Sequence, residues 1–195
     1  FATIVSAVGE GRRIYDNLVK SIQFMISTNM GEIVLLLVAV LCNWAMPLLP
    51  IQLLFINLVC DSLPSLALSV DPAAKDIMSR RPVDTQNGFF TRPFIRRITL
   101  QALIVGGASI VAYLIGLGVS LDVARTMTFA VMVFSQFTVI FSIRTGSKIF
   151  TTGFFTNRWL WLTILFVVVV TMFVMLTPSM MSLFDLTALD TQQWL

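Results

Sequence analysis

Long apolar runs alternate with short polar breaks along this 195-residue chain. Runs at roughly 22–41, 51–70, 94–118, 127–143 and 159–177 are each near the ~17–25 residues that a membrane-spanning helix needs. Ahead of the first run, Ile14, Leu18, Ile22 and Met25 recur at helical spacing, with Arg13, Asp16, Asn17 and Lys20 between them. No Gly or Pro interrupts Arg12 to Met30, so the first span is predicted to continue backwards as a stalk helix. A stalk with one apolar face needs a partner to cover it. The second run differs from the others because it contains Asn57, Asp61, Ser62 and Pro64. Pro64 lacks an N–H and its ring clashes with the carbonyl of Cys60. Freed backbone groups at membrane depth persist only inside protein or beside a cavity. A broken helix, opened next to Asp61, is therefore predicted.

Composition agrees with spanning helices. The chain is 57% hydrophobic and 12% charged, with mean hydropathy +0.89, whereas soluble domains carry about 25% charged residues. The expected fold class is an all-α integral membrane protein, an antiparallel helical bundle of about five transmembrane helices preceded by a cytoplasmic stalk helix. The stalk occupies 1–21 and the membrane domain 22–195, with a cytoplasmic loop at 71–93.

Charge position sets the topology. Of the thirteen basic residues, only Arg125 falls on the second side when the five spans alternate. Such an excess marks the cytoplasmic face. The N-terminus is thus expected in the cytoplasm and the tail outside, in a multi-pass protein of the cell (plasma) membrane with the lipid bilayer as its partner. Both ends read as cut: the stalk lacks its cover, and 178–195 closes on apolar Trp194 and Leu195, where a further span would begin.

The absence of His removes the commonest metal ligand and general base. Cys42 and Cys60 form no disulfide framework or zinc motif. No phosphate-binding loop, nucleophile elbow or nucleic-acid patch is present, so no catalytic residue and no nucleic-acid partner is assigned.

The candidate chemistry lies in Glu32 and Asp61, the only acidic residues deep inside apolar runs. A charge at the bilayer centre costs at least ~2.5–3.5 kcal/mol, which makes it a functional hypothesis by default. Glu32 precedes Cys42 by about ten residues and Asp61 follows Pro50 by about eleven, so both lie ~15 Å below the same surface. The short loop between the runs makes the two helices antiparallel neighbours. Asn29 precedes Glu32 by one turn and Asn57 precedes Asp61 by one turn, so each pair shares a helix face. Amide and carboxylate oxygens, with backbone carbonyls near Pro64, suit Ca²⁺ or another hard cation. Two facing carboxylates also make proton countertransport chemically natural. Ser27, Thr28, Cys60, Gln136 and Thr138 are further candidate ion-path residues, although helix packing also accounts for them.

At these residues the chain resembles the type-II P-type ATPases, most closely their calcium-transporting branch. The segment FATIVSAVGEGRRIYDN is similar to the end of the phosphorylation domain entering the fifth transmembrane helix. ISTNMGEIV is similar to the calcium-site stretch of that helix, and PIQLLFINLVCDSLPSLALSVDP to the sixth. The resemblance is specific over about residues 1–82 and motif-poor beyond. It implies that Asn29, Glu32, Asn57 and Asp61 coordinate transported Ca²⁺. It also implies that Mg²⁺ and ATP are used only by the intact protein, whose earlier helices and cytoplasmic domains are missing partners of this segment. Cys60 stands where calcium pumps often have Thr, and residues 127–143 lack a carboxylate found in some members, with Gln136 or Thr138 near that place. Both departures point to a single transported ion. A Na⁺, K⁺ or H⁺ pump of the same family is the alternative. A secondary transporter or channel is the alternative from another class, against which stands the lack of any internal repeat.

Overall fold

A computed structural model describes residues 2–73, 77–79, 90–145, 155–190 and 193. The expected positions Lys75, Arg80, Arg81, Lys148, Trp194 and Leu195, and much of the 71–93 loop, lie outside the described residues. Among those residues the structure is helical, with no strand. Five helices are long and apolar enough to cross a membrane: Ala2–Leu41, Pro50–Ser69, Arg92–Leu117, Leu121–Arg144 and Arg158–Leu176. They are called here the first to fifth spans. The chain is an all-α, multi-pass membrane bundle.

The first span is one uninterrupted 40-residue helix, about 60 Å long at 1.5 Å per residue. Its buried face, with Asn17, Ser21, Phe24, Thr28, Gly31, Glu32 and Leu35, recurs at helical spacing. The faces turned away from the bundle carry Leu37, Leu54, Leu58, Ile104, Ile115, Leu165 and Val169, all more than half exposed. Those faces suit acyl chains, since no apolar core of the bundle covers them.

The first span packs along the third, the third along the fourth, and the second lies against the first, fourth and fifth. Glycine makes the first of these contacts close. A Cβ on Gly31 would fall 2.9 Å from Val105 Cγ1, and one on Gly106 would fall 2.9 Å from the carbonyl oxygen of Gly31. Small residues facing each other let two membrane helices approach backbone to backbone. Gly116 does the same at the turn between the third and fourth spans, where a Cβ would sit 2.4 Å from Ala124 Cα. A core of Phe24, Phe55, Ile56, Cys60, Phe129, Met132 and Val167 gathers around the middle of the second span.

That middle is not broken open, as the proline predicts, but widened. Residues Ile56–Asp61 form a π-helical segment between the α-helical stretches Pro50–Phe55 and Ser62–Ser69. A π turn absorbs the missing donor and the bulk of Pro64 by shifting the hydrogen-bond register instead of unwinding the chain. Ser62 Oγ donates to the Asn57 carbonyl oxygen at 2.9 Å, five residues back, so the side chain occupies a carbonyl of the widened turn.

At one end of the bundle the 42–49 connection is pinned to the third and fourth spans. Tyr113 donates to the Ala45 carbonyl at 2.8 Å, Trp44 stacks on the Tyr113 ring at 5.5 Å, and Arg125 Nε donates to the Met46 carbonyl at 3.0 Å. Beyond the fifth span, Pro178 starts a short helix, Pro178–Phe184, that the sequence pattern does not announce. Gln52 holds it by donating to the Phe184 carbonyl at 2.9 Å.

Candidate cation site

Two antiparallel helices deliver the carboxylates to one place. On the first span, Thr28 and Glu32 are four residues apart on the buried face; on the second, Asn57 and Asp61 repeat that spacing within the π segment. The polar contacts then run crosswise. Thr28 Oγ1 donates to Asp61 Oδ2 at 2.9 Å, and Asn57 Nδ2 donates to the Glu32 oxygens at 3.0 and 3.3 Å. Each carboxylate is thus held by a neutral side chain of the opposite helix. Glu32 is 6% exposed and Asp61 1%.

The donors leave specific oxygens uncommitted. Asp61 Oδ1 is buried without a hydrogen-bond partner among the described residues. Asn57 uses its Nδ2 on Glu32 and on the Leu53 carbonyl, so Oδ1 is the atom it offers to a cation. An acceptor oxygen with no donor in a buried setting is costly, typically ~1–3 kcal/mol and more for a charged group. A cation satisfies such an oxygen directly, and this donor set contains only hard oxygens.

The remaining predicted residues divide clearly. Asn29 is half-buried and turned back on its own helix, with Nδ2 donating to the Met25 carbonyl at 2.8 Å. Its neighbour Thr28 takes the inward place. Ser27 belongs to a separate polar chain, in which Ser27 Oγ and Gln23 Nε2 both donate to Gln101 Oε1 at 2.9 Å and Gln101 reaches Ser142 at 3.3 Å. Cys60 is fully buried in the apolar core. Gln136 is fully buried and both of its amide atoms lack partners among the described residues. Thr138, one half-turn on, is exposed. Sequence reasoning missed Thr171, buried on the fifth span beside the Cys60 thiol. A Thr at the centre of the apolar run ILFVVVVTMFVML was the available signal.

Comparison with known proteins bears on this arrangement. The family described as "Cation transporting ATPase, C-terminus" matches residues 45–195. The chain belongs to the cation-transporting P-type ATPases. It is 35% identical over its whole length to "Calcium-transporting ATPase 1" of Bacillus cereus, of which it covers 24%. It is 34% identical to "Calcium-transporting ATPase" of Bacillus subtilis, again over its whole length and 22% of that protein. With "Calcium-transporting ATPase type 2C member 2" of Mus musculus it shares 29% identity over 97% of the chain and 21% of the relative. As a P-type ATPase segment, then, the chain spans about a quarter of the length of these relatives. Membership in the family sets aside the secondary-transporter and channel readings.

Proposed function

We propose that this segment is the cation-translocating membrane portion of an ATP-driven pump whose transported ion is Ca²⁺. The observation that carries the reading is the crossed pair, two buried carboxylates on neighbouring spans with Asp61 Oδ1 left unpartnered. Glu32, Asn57 and Asp61 supply side-chain oxygens, and Asn29 joins them by releasing the Met25 carbonyl. The donors are hard oxygens without His or thiolate, which suits Ca²⁺ over softer metals. Gln136, buried on the fourth span with both amide atoms unpartnered among the described residues, serves as a neutral ligand in place of a carboxylate and limits the site to one ion. The intact protein, with its further helices and its cytoplasmic domains, uses Mg²⁺ and ATP to drive the cycle. It lies in the plasma membrane with the start of the first span in the cytoplasm and the tail outside.

Protons are the counter-ion in this reading, because two carboxylates 1% and 6% exposed do not stay together as bare anions once the cation leaves. Cation binding then releases protons, and a pH-stat titration that records no release near neutral pH removes that part.

The experiment is ATPase stimulation of the full-length protein by Ca²⁺, Na⁺, K⁺ and Mn²⁺ in turn. Stimulation by Ca²⁺ that disappears in Asp61→Asn supports the proposal; full stimulation in that variant refutes the site. A monovalent-cation pump is the second reading, favoured by the neutral Gln136 and by Cys60 beside Asp61. Stimulation by Na⁺ or K⁺ but not Ca²⁺ selects it.

A further inference from the structure

Far from the carboxylate pair, at the end of the bundle where the second span stops, Asp71 collects four elements on one side chain. Its Oδ2 accepts from Lys20 Nζ at 2.7 Å, and its Oδ1 accepts from Arg144 Nε at 3.1 Å and from Asn157 Nδ2 at 3.0 Å. Its main-chain carbonyl accepts from Asn17 Nδ2 at 2.7 Å. The first span, the end of the second, the fourth and the start of the fifth therefore meet at a single carboxylate.

Two cations share that carboxylate, and they differ in access to solvent. The Arg144 side chain is 6% exposed, as is that of Asp71, whereas the Lys20 side chain is 25% exposed. A lysine on such a margin can carry its ammonium into water along a flexible stem. A buried guanidinium cannot, and separating it from its carboxylate leaves an uncompensated charge. When Lys20 departs, Asp71 keeps Arg144 and Asn157 and remains neutralised. When Arg144 is lost, the buried pairing fails. The charged contact of the first span is thus the cheaper one to break, although it lies on the same bundle of bonds.

Resting on the pump reading above, we propose that Lys20 and Asp71 form a releasable latch between the first span and the remaining spans, with Arg144 as the fixed counter-charge. Lys20 and Glu32 are on one continuous helix, about 18 Å apart along its axis. Opening the latch removes the ion pair and leaves the first span tied to the end of the second by the neutral hydrogen bonds of Asn17 and Ser21, which resist sliding or turning less than a charge pair does. Lys20 is in this sense a positioning residue for the cation site and touches no transported ion.

The test uses the full-length protein with Lys20→Gln, Lys20→Arg and Arg144→Gln. Apparent Ca²⁺ affinity is read from ATPase stimulation, and melting temperature is read in detergent without Ca²⁺. Lys20→Gln should shift the apparent affinity about two- to five-fold, the factor a partly exposed pair supports, with little change in melting temperature. Lys20→Arg should restore the affinity, and Arg144→Gln should lower the melting temperature far more than Lys20→Gln. Unchanged affinity in Lys20→Gln overturns the latch. So does a fall in its melting temperature equal to that of Arg144→Gln. A wild-type protein without a Ca²⁺ response refutes the calcium reading instead, and the comparison of melting temperatures still decides whether Lys20 is the releasable partner.

Discussion

Gly31→Ala probes a close helix contact at the residue next to a proposed ligand. The added Cβ would meet Val105 Cγ1 at 2.9 Å and Val105 Cβ at 3.0 Å, with the Ala102 carbonyl oxygen at 3.5 Å. Carbon atoms prefer about 3.5–4.0 Å, so the two spans must part by roughly 0.5–1 Å or Val105 must move. Val105 is 1% exposed and β-branched, hence unable to swing aside. Overpacking of this kind costs about 1–3 kcal/mol. The displacement acts on Glu32, whose bonds to Asn57 stand at 3.0 and 3.3 Å and have little length to spare. Gly31→Ala in the full-length protein should therefore lower both the melting temperature and the apparent cation affinity. Val105→Ala removes Cγ1, the nearest clashing atom, and keeps the Cβ at 3.0 Å, so the double variant should recover part of both losses. A coupling of about 0.5–3 kcal/mol in the double-mutant cycle is the expected sign of direct contact. Additive losses, or a Gly31→Ala protein with wild-type melting temperature, would refute the account of the first and third spans as touching through this glycine.

Other expectations follow from the site. Asn57→Ala removes the donor on Glu32 together with a proposed ligand oxygen, and should weaken cation binding more than Asn29→Ala, which removes a group facing its own helix. Equal losses, measured as cation dependence of ATPase activity, would place Asn29 inward when the ion is bound. Gln136→Leu deletes two buried atoms that have no partners, so its melting temperature without cation should hold or rise. Its cation affinity should fall if Gln136 is a ligand, and unchanged affinity would remove it from the site. Thr28→Val, nearly isosteric, takes from Asp61 the only side-chain donor it has among the described residues and should alter cation affinity by about tenfold or more, given ~1.5–3 kcal/mol for a bond to a charged group.

The spans were legible because bilayer thickness imposes a length on any apolar helix, and five runs meet it. Glu32, Asp61 and Asn57 were legible because burial of such groups in a membrane is expensive enough to stand out against apolar neighbours. Their partners were not. Thr28 and Asn29 are adjacent, and the sequence spacing fits either to the face of Glu32; the rotation of the helix against the second span brought Thr28 inward. The meaning of Pro64 was half legible: a disturbed helix follows from the missing donor, but the spacing of residues does not distinguish a turn that opens from one that widens over Ile56–Asp61. Asp71 was read as part of a loop, because its partners Lys20, Arg144 and Asn157 are remote in sequence and carry no pattern.

The widened turn at Ile56–Asp61 also has a consequence for how this helix tolerates change in length. A π turn contains one residue more than the α turn it replaces. Removing one residue there would close the helix to uniform α geometry while leaving Pro50–Phe55 and Ser62–Ser69 facing their present neighbours. Removing one residue elsewhere in the span would rotate every later side chain by about 100°. The second span is thus a helix carrying an insertion at the turn that holds Asn57 and Asp61, so the fold and the proposed ion binding are separable by a single deletion.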